Sequence, residues 1–94
     1  MEERAVVELH AIIRGHVQGV FFRDTTKRFA NELGLTGTVR NVPDGNVEIY
    51  AQGSKENLEN LLEKLIQKGP GHVDGIEKEF FSPMRDYDGF QVAF

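Results

Sequence analysis

The hydrophobic pattern constrains the fold of this chain more than any other feature, because it alternates between the period of a strand and the period of a helix. Apolar side chains occupy every second position from Val7 to Ile13, which predicts a strand over residues 7–14 with one buried face. Phe22, Phe29 and other residues then recur at helical spacing, and Gly34 stands where a helix ends. We therefore expect a helix over residues 23–33, separated from the strand by a loop that contains glycines.

The rest of the chain continues this alternation. The further predicted strands cover residues 35–41, 46–52, 75–81 and 90–94. Residues 42–45, Val-Pro-Asp-Gly, favour a hairpin turn, and residues 83–89 form a loop. A second helix begins after Ser54, a suitable N-cap, and ends at residues 69–71, Gly-Pro-Gly. The stripe that this helix is predicted to bury comprises Leu58, Leu61, Leu62, Leu65 and Ile66.

The predicted order is β-α-β-β-α-β with a short extra strand, in a chain of 94 residues. So short a chain forms a single domain, residues 1–94, and its two helices must cover one face of the sheet. The expected fold class is α+β, a ferredoxin-like α/β sandwich with two helices on one face of a four- to five-stranded, mainly antiparallel sheet. In that arrangement the first and second strands flank the third and run in the same direction. Their carboxyl ends, which carry residues 15–23 and Asn41, then meet at one edge.

Composition excludes several classes of function. The chain has no Cys, which excludes disulfides, a Cys-based zinc site and a thiol nucleophile. It carries 15 acidic and 11 basic residues, and the net charge of −4 has the wrong sign for a general nucleic-acid binder. No apolar run approaches the roughly 20 residues of a membrane span, and residues 1–4 are charged rather than typical of a signal peptide. We expect a small, soluble, cytoplasmic monomer.

The loop between the first strand and the first helix has the features of an anion site. Gly15 and Gly19 permit the positive φ angles that turn successive backbone N–H groups inward, and a helix N-terminus attracts anions. Arg23, in the first helical turn, adds a permanent charge and a planar fork suited to phosphate oxygens. The spacing matches neither a P-loop nor a dinucleotide fingerprint. A structural turn followed by a solvated Arg is the alternative on these observations alone.

Two sequence blocks resemble the acylphosphatase family. The first is Gly15-His16-Val17-Gln18-Gly19-Val20-Phe21-Phe22-Arg23, which matches the family string G-x-V-Q-G-V-x-F-R. The second comprises Gly37, Val39, Arg40, Asn41, Gly45, Val47 and Gly53. The resemblance spans nearly the whole chain. Thr38 departs from it, since the family usually carries an aromatic residue there, and this departure bears on substrate fit or local packing.

The resemblance implies an activity and a set of site residues. Family members hydrolyse the carboxyl–phosphate bond of acyl phosphates to a carboxylate and inorganic phosphate, without a metal or another cofactor. Arg23 matches the arginine that binds phosphate, and Asn41 matches the asparagine that positions the attacking water. The backbone amides implied as a phosphate cradle are those of Gln18, Gly19, Val20, Phe21, Phe22 and Arg23.

A site with so few groups is sufficient for the carboxyl–phosphate bond, because this bond is already activated. A carboxylate leaves with a pKa near that of Glu, about 4.3, so it needs no general acid. Phosphoryl transfer requires mostly positioning and stabilisation of charge on the equatorial oxygens, which an Arg and a ring of amides supply. No dedicated general base is evident, and a phosphate oxygen of the substrate can accept the proton of the water. Phosphate monoesters, whose alkoxide leaving groups need help, are expected to be poor substrates.

Other polar residues are expected to play smaller parts. No metal-ligand spacing is found among the histidines, which are His10, His16 and His72. Asp24 either pairs with Arg23, repels substrate, or simply interacts favourably with the helix dipole. Thr26 is expected to face the sheet, although it stands close enough in sequence to reach a phosphate.

Two other functions stay open on the sequence. A ferredoxin-like sheet with exposed aromatic residues is also an RNA-recognition architecture, and the aromatic candidates are Phe80, Phe81, Phe90 and Phe94. The acidic balance and the lack of a basic, aromatic-rich strand motif oppose that function. The other is a non-catalytic or specialised acylphosphatase-like domain, such as the one at the front of hydrogenase-maturation carbamoyltransferases. The length of this chain argues against that large partner but not against carbamoyl phosphate as a substrate.

Overall fold

The computed structural model describes residues 5–93, which form two helices and five strands. In chain order they are β1 (Val7–His16), α1 (Phe22–Glu32), β2 (Thr36–Asn41), β3 (Val47–Gly53), α2 (Lys55–Lys68), β4 (His72–Phe81) and β5 (Phe90–Val92). The predicted order of elements is confirmed. Residues 1–4, and Phe94 of the predicted last strand, lie outside the described residues. Neither helix in this part of the chain is long and apolar enough to cross a membrane.

The strands form one five-stranded sheet in the order β4-β1-β3-β2-β5. All neighbouring pairs are antiparallel except β2 and β5, which run parallel, so the sheet is mixed but mainly antiparallel. Val47, the first residue of β3, pairs with Ile13 of β1 on one side and with Asn41 of β2 on the other. The carboxyl ends of β1 and β2 therefore lie at the same edge of the sheet, as predicted.

Both helices contribute to one core against the sheet. The core residues of the central strands are fully buried and include Leu9, Ala11, Ile13, Val39, Val47 and Ile49. The stripe predicted for α2 is buried at Leu58, Leu61, Leu62 and Leu65. The prediction is wrong at Ile66, which is 57% exposed. This residue stands at the border of the stripe and lines an open groove between α2 and β4.

Local sequence determines where the helices begin and end. Ser54 Oγ accepts the Asn57 N–H at 3.1 Å, which confirms Ser54 as the N-cap of α2. After α1, Gly34 adopts a φ of 71°, and the N–H of Leu35 donates to the Ala30 carbonyl oxygen at 2.9 Å. This left-handed glycine and the hydrogen bond that follows it are the usual way to end a helix.

The segment of residues 82–89 covers part of the other face of the sheet. Glu8, on the side of β1 that was predicted to be open, is fully buried beneath it. The Glu8 carboxylate accepts the Met84 N–H at 3.0 Å, Gln52 Nε2 at 2.9 Å and the Tyr87 hydroxyl at 3.2 Å. Burial raises the pKa of Glu8, but these hydrogen bonds and the charge of Arg85 lower it by more, so the net pKa lies below its usual value.

The aromatic residues considered for RNA stacking are mostly used in packing. Phe90 is 2% exposed and belongs to the core, and Phe80 packs against the core. The Lys55 ammonium lies 5.1 Å from the centre of the Phe80 ring, on its face. Phe81 is half-buried, and Phe94 lies outside the described residues. The described aromatic residues therefore leave no open row of rings for bases to stack on.

Candidate active site

Close packing against β4 fixes the end of β1. The register of these two strands shifts between Arg14 and Gly15, and Gly15 takes a φ of 137°. A Cβ on Gly15 would lie 2.1 Å from the His72 carbonyl oxygen, and one on Gly71 would lie 2.1 Å from the His16 carbonyl oxygen. Only glycine fits at these two positions, so the loop that follows β1 starts from a fixed point.

This loop, residues 17–21, contains left-handed backbone at two positions. Gly19 has a φ of 74° and Phe21 a φ of 62°. Phe21 is the one non-glycine residue with a positive φ among residues 5–93, and such a conformation costs about 1–2 kcal/mol. Backbone strain of this kind concentrates at functional sites. Phe21 is also the N-cap residue of α1 and its side chain makes no cap hydrogen bond, which leaves the helix N-terminus open to an anion.

Arg23 and Asn41 line the same cleft, which has a volume of about 380 Å³. Its lining residues are Val17, Gly19, Phe21, Phe22, Arg23, Asp24, Asn41 and Val92. Four of the six residues predicted to supply cradle amides are among them. Gln18 and Val20 are not. The role of all six amides stays a prediction. A larger depression of about 630 Å³ between α2 and β4 contains none of the predicted site residues.

The segment that follows β5 orients Arg23, the second residue of α1. Arg23 Nη1 donates to the Ala93 carbonyl oxygen at 3.4 Å. The Ala93 N–H in turn donates to the Val39 carbonyl oxygen at 2.8 Å, which continues the pairing of β5 with β2. The guanidinium is thus held beside the strand that ends at Asn41.

Asn41, the last residue of β2, lines the cleft and carries a buried acceptor. Its Oδ1 is buried and accepts no hydrogen bond from the described residues. Leaving a buried polar atom unpaired costs about 1–3 kcal/mol, and proteins rarely keep such an atom without a use. The Asn41 backbone is fixed by its pairing with Val47. The carboxamide is therefore held at a defined place in the wall of the cleft.

The side chain of Gln18 joins the loop to the turn between β2 and β3. Gln18 Nε2 donates to the carbonyl oxygens of Val42 at 2.8 Å and Asn46 at 2.7 Å. Sequence reasoning found only a backbone role for Gln18 and missed this contact, because a bond between distant residues leaves no periodic pattern. The one signal was a lone carboxamide in an otherwise apolar stretch of the loop.

The other polar candidates occupy different positions. Asp24 lines the cleft and belongs to the first turn of α1, where an acidic side chain suits the helix dipole. Thr26 is fully buried, as expected, and its hydroxyl donates to the Phe22 carbonyl oxygen at 2.8 Å. Thr38 alternates with core residues of β2 and lies on the other face of the sheet. Its departure from the family pattern therefore concerns local packing there, away from the cleft.

Two of the three histidines, His10 and His72, make ordinary polar contacts. His10 Nε2 lies 2.8 Å from Glu48 Oε2, and the His10 ring stacks on Tyr50 with centroids 4.5 Å apart. His72 Nε2 lies 2.9 Å from Asp74 Oδ1. Within residues 5–93, no group of three or more His, Asp or Glu side chains is arranged to hold a metal ion.

Comparison with known proteins identifies the family, since the acylphosphatase family matches residues 9–92. The chain belongs to the acylphosphatase family. An acylphosphatase from Caldivirga maquilingensis is 43% identical over 91 residues, which cover 94% of this chain and 95% of that protein. The solved acylphosphatase of Coxiella burnetii has a TM-score of 0.86 and 36% identity, and covers 95% of this chain and 94% of its own. The acylphosphatase of Bacillus subtilis has a TM-score of 0.86 and 27% identity, with coverages of 94% and 99%.

Membership of the acylphosphatase family accounts for both sequence blocks. The first block covers the end of β1, the loop and the start of α1, and the second covers β2 and β3. The fold joins them at the cleft that Arg23 and Asn41 line. The family resemblance and the ferredoxin-like fold are both confirmed.

Proposed function

We propose that this chain hydrolyses the carboxyl–phosphate bond of acyl phosphates in the cleft between the loop and the end of β2. The observation that carries the proposal is that Arg23 and Asn41, which come from different elements, line one cleft at the N-terminus of α1. Membership of the acylphosphatase family supports the same activity.

Arg23 and the loop amides bind the phosphate group. A guanidinium is permanently charged and presents a planar fork of donors that matches phosphate oxygens. The N-terminus of α1 adds backbone N–H donors and the partial positive charge of the helix dipole. The amides of the proposed cradle are those of Gln18, Gly19, Val20, Phe21, Phe22 and Arg23. Together these groups stabilise the charge that spreads over the equatorial oxygens during transfer.

Asn41 positions the attacking water. Its carboxamide, which lines the cleft, holds the water by a hydrogen bond and aims the water oxygen at phosphorus. As the new P–O bond forms, the bond between phosphorus and the carboxylate oxygen breaks, which yields a carboxylate and inorganic phosphate. A phosphate oxygen takes the proton of the water. The carboxylate leaves unprotonated, because the pKa of its conjugate acid is near that of Glu, about 4.3. No cofactor is part of this proposal.

The acyl group of the substrate is small or extends into solvent. The cleft has a volume of about 380 Å³, and Phe21 at its wall is 80% exposed, so one side of the site is open. An open site of this kind favours broad specificity over the acyl group. Acetyl, benzoyl and carbamoyl phosphate are therefore all candidate substrates.

The proposal also covers the domain organisation, oligomeric state and location of the protein. Residues 1–94 act as one acylphosphatase-like domain, as a monomer and in the cytoplasm. The net charge of −4 disfavours a nucleic-acid partner.

Release of inorganic phosphate tests the activity. The protein is incubated with acetyl phosphate or benzoyl phosphate in the presence of a chelator, and with phenyl phosphate as the monoester for comparison. We expect rapid release from both acyl phosphates and little from the monoester, because its leaving group needs an acid. An Arg23→Ala sample measures spontaneous hydrolysis. Release no faster than in that sample, or equal turnover of the monoester, contradicts the proposal.

A further inference from the structure

We propose that the Gln18 side chain is a positioning residue that holds Asn41 at its working distance from Arg23. Gln18 Nε2 donates to the carbonyl oxygens of Val42 and Asn46, at 2.8 and 2.7 Å. Both acceptors belong to the turn that begins directly after Asn41. The inference rests on the proposed role of Asn41 in holding the water.

This contact connects the two halves of the cleft. Gln18 stands in the loop that leads into α1 and Arg23, whereas Val42 follows Asn41 in the chain. β1 and β2 are not neighbours in the sheet, since β3 lies between them. The sheet connects β1 and β2 only through β3. A direct bridge from the loop to the turn therefore sets the separation of Arg23 and Asn41 locally.

The chemistry of a carboxamide suits this bridge. A primary amide nitrogen carries two N–H donors, and here one is available for each carbonyl oxygen. The same two carbonyls define the turn, because the Val42 carbonyl accepts the Gly45 N–H at 3.1 Å and the Asn46 carbonyl accepts the Val42 N–H at 3.0 Å. The Gln18 side chain thus donates to the same carbonyl oxygens that accept the hydrogen bonds within the turn. Asn46 is only 8% exposed, so water competes poorly for these bonds.

The effect should fall on the chemical step rather than on binding. Misplacing a catalytic group by about 1 Å costs on the order of a hundredfold in rate. Phosphate binding is assigned to Arg23 and the backbone amides, which a change in the Gln18 side chain leaves in place. We therefore expect a lower kcat with an unchanged affinity for inorganic phosphate.

Gln18→Met is the test variant, because it keeps the side-chain length and the backbone amide but removes both donors. For acetyl phosphate, kcat should fall on the order of ten- to a hundredfold, while titration with inorganic phosphate gives the wild-type affinity. In an Asn41→Ala background, Gln18→Met should cause no further loss of kcat, because the two residues act on the same water. Gln18→Asn reaches at most one carbonyl and should lose less. It is judged by the same criteria if Gln18→Met does not fold.

Asn57→Leu is the matched control. Asn57 Nδ2 also bridges two elements, by donating to the Leu33 carbonyl oxygen at 3.2 Å, and neither residue lines the cleft. This variant should lose thermal stability and keep kcat. Wild-type kcat in the Gln18 variants, or a loss that is just as large in the Asn41→Ala background, overturns the inference. If Asn41→Ala itself keeps kcat, the proposed role of Asn41 fails and the inference fails with it, so the two failures are distinguishable.

Discussion

Replacing Asn41 by Ala should separate activity from stability. The buried Oδ1 of Asn41 has no partner among the described residues, so its removal breaks no hydrogen bond of that atom within the protein. The change relieves the cost of an unpaired buried acceptor, about 1–3 kcal/mol, and this offsets the packing lost when a half-buried side chain is shortened. We expect the free energy of unfolding to change by less than about 1 kcal/mol. The Tm should then stay within about 4–8 °C of the wild type.

The same substitution should lower kcat by roughly 10²–10³, the usual cost of removing one catalytic hydrogen-bonding group. Affinity for inorganic phosphate should survive, because Arg23 and the loop amides are unchanged. Phosphate release from acetyl phosphate gives kcat, calorimetric titration gives the phosphate affinity, and circular dichroism during heating gives Tm. All three are measured on one preparation, so that a folding defect is seen at once.

Asn57→Ala is the control with the opposite expectation. It removes the hydrogen bond from Asn57 to the Leu33 carbonyl oxygen, which joins α2 to the end of α1. We expect the free energy of unfolding to fall by about 1–2 kcal/mol with kcat unchanged. Near wild-type kcat in Asn41→Ala would refute the assigned role of Asn41. Loss of phosphate affinity in step with kcat would make Asn41 a phosphate ligand instead, and a loss of several kcal/mol in stability would show that Oδ1 is paired.

Three further predictions concern charge and close packing. Arg23→Ala should abolish turnover and phosphate binding, and Arg23→Lys should fail as well because a point charge cannot replace a planar fork; phosphate release within about tenfold of wild type would contradict this. Glu8→Gln should lower the free energy of unfolding by about 1–2 kcal/mol in urea titrations, with kcat unchanged. The pKa of Glu8 is lower in the folded than in the unfolded protein, so the ionised carboxylate stabilises the fold at pH values above the unfolded pKa. This stabilisation is lost as the pH falls through the folded pKa. The difference between wild type and Glu8→Gln should therefore shrink on acidification, and a constant difference would be the contrary result. Gly15→Ala, whose Cβ would lie 2.1 Å from the His72 carbonyl oxygen, should lower Tm far more than Gly75→Ala, where a Cβ meets nothing within 4 Å.

The fold was predictable because two helices in so short a chain can cover only one face of a sheet. Caps and turn residues placed the bounds of α1, β2 and β3 within one or two residues. β4 begins at His72, three residues before the predicted strand, because its pairing with β1 continues past the bulge at Gly15, and a bulge breaks the period of two. The errors at Ile66 and Glu8 share another cause. Periodicity indicates which face of an element is apolar, but not which other segment lies over that face.

The two side chains of the candidate site were predictable for a topological reason. Parallel strands on either side of a third must end at the same edge, which brings the loop before Arg23 close to Asn41. The left-handed conformation of Phe21 was not predictable, because a residue with a Cβ rarely adopts it and no periodic pattern signals it. The Gln18 side-chain bridge was missed for a similar reason, since its acceptors are backbone carbonyls that any residue type can supply.

Sheet register and the Gln18 bridge both set the distance between Arg23 and Asn41, the register coarsely and the bridge more finely. The pairing of Val47 with both Ile13 and Asn41 sets how far β2 reaches along β1. A slip of two residues in either pairing would move Asn41 by about 7 Å, so register places the side chain only in coarse steps. Catalysis is sensitive to displacements of about 1 Å. The finer adjustment requires a contact between the loop and the turn themselves, and the two hydrogen bonds from Gln18 are placed where that adjustment is needed. Under the proposed mechanism, two side chains and a set of backbone amides suffice for an active site in a small domain. The sheet and the bridge would then provide the positioning that a larger enzyme obtains from further residues.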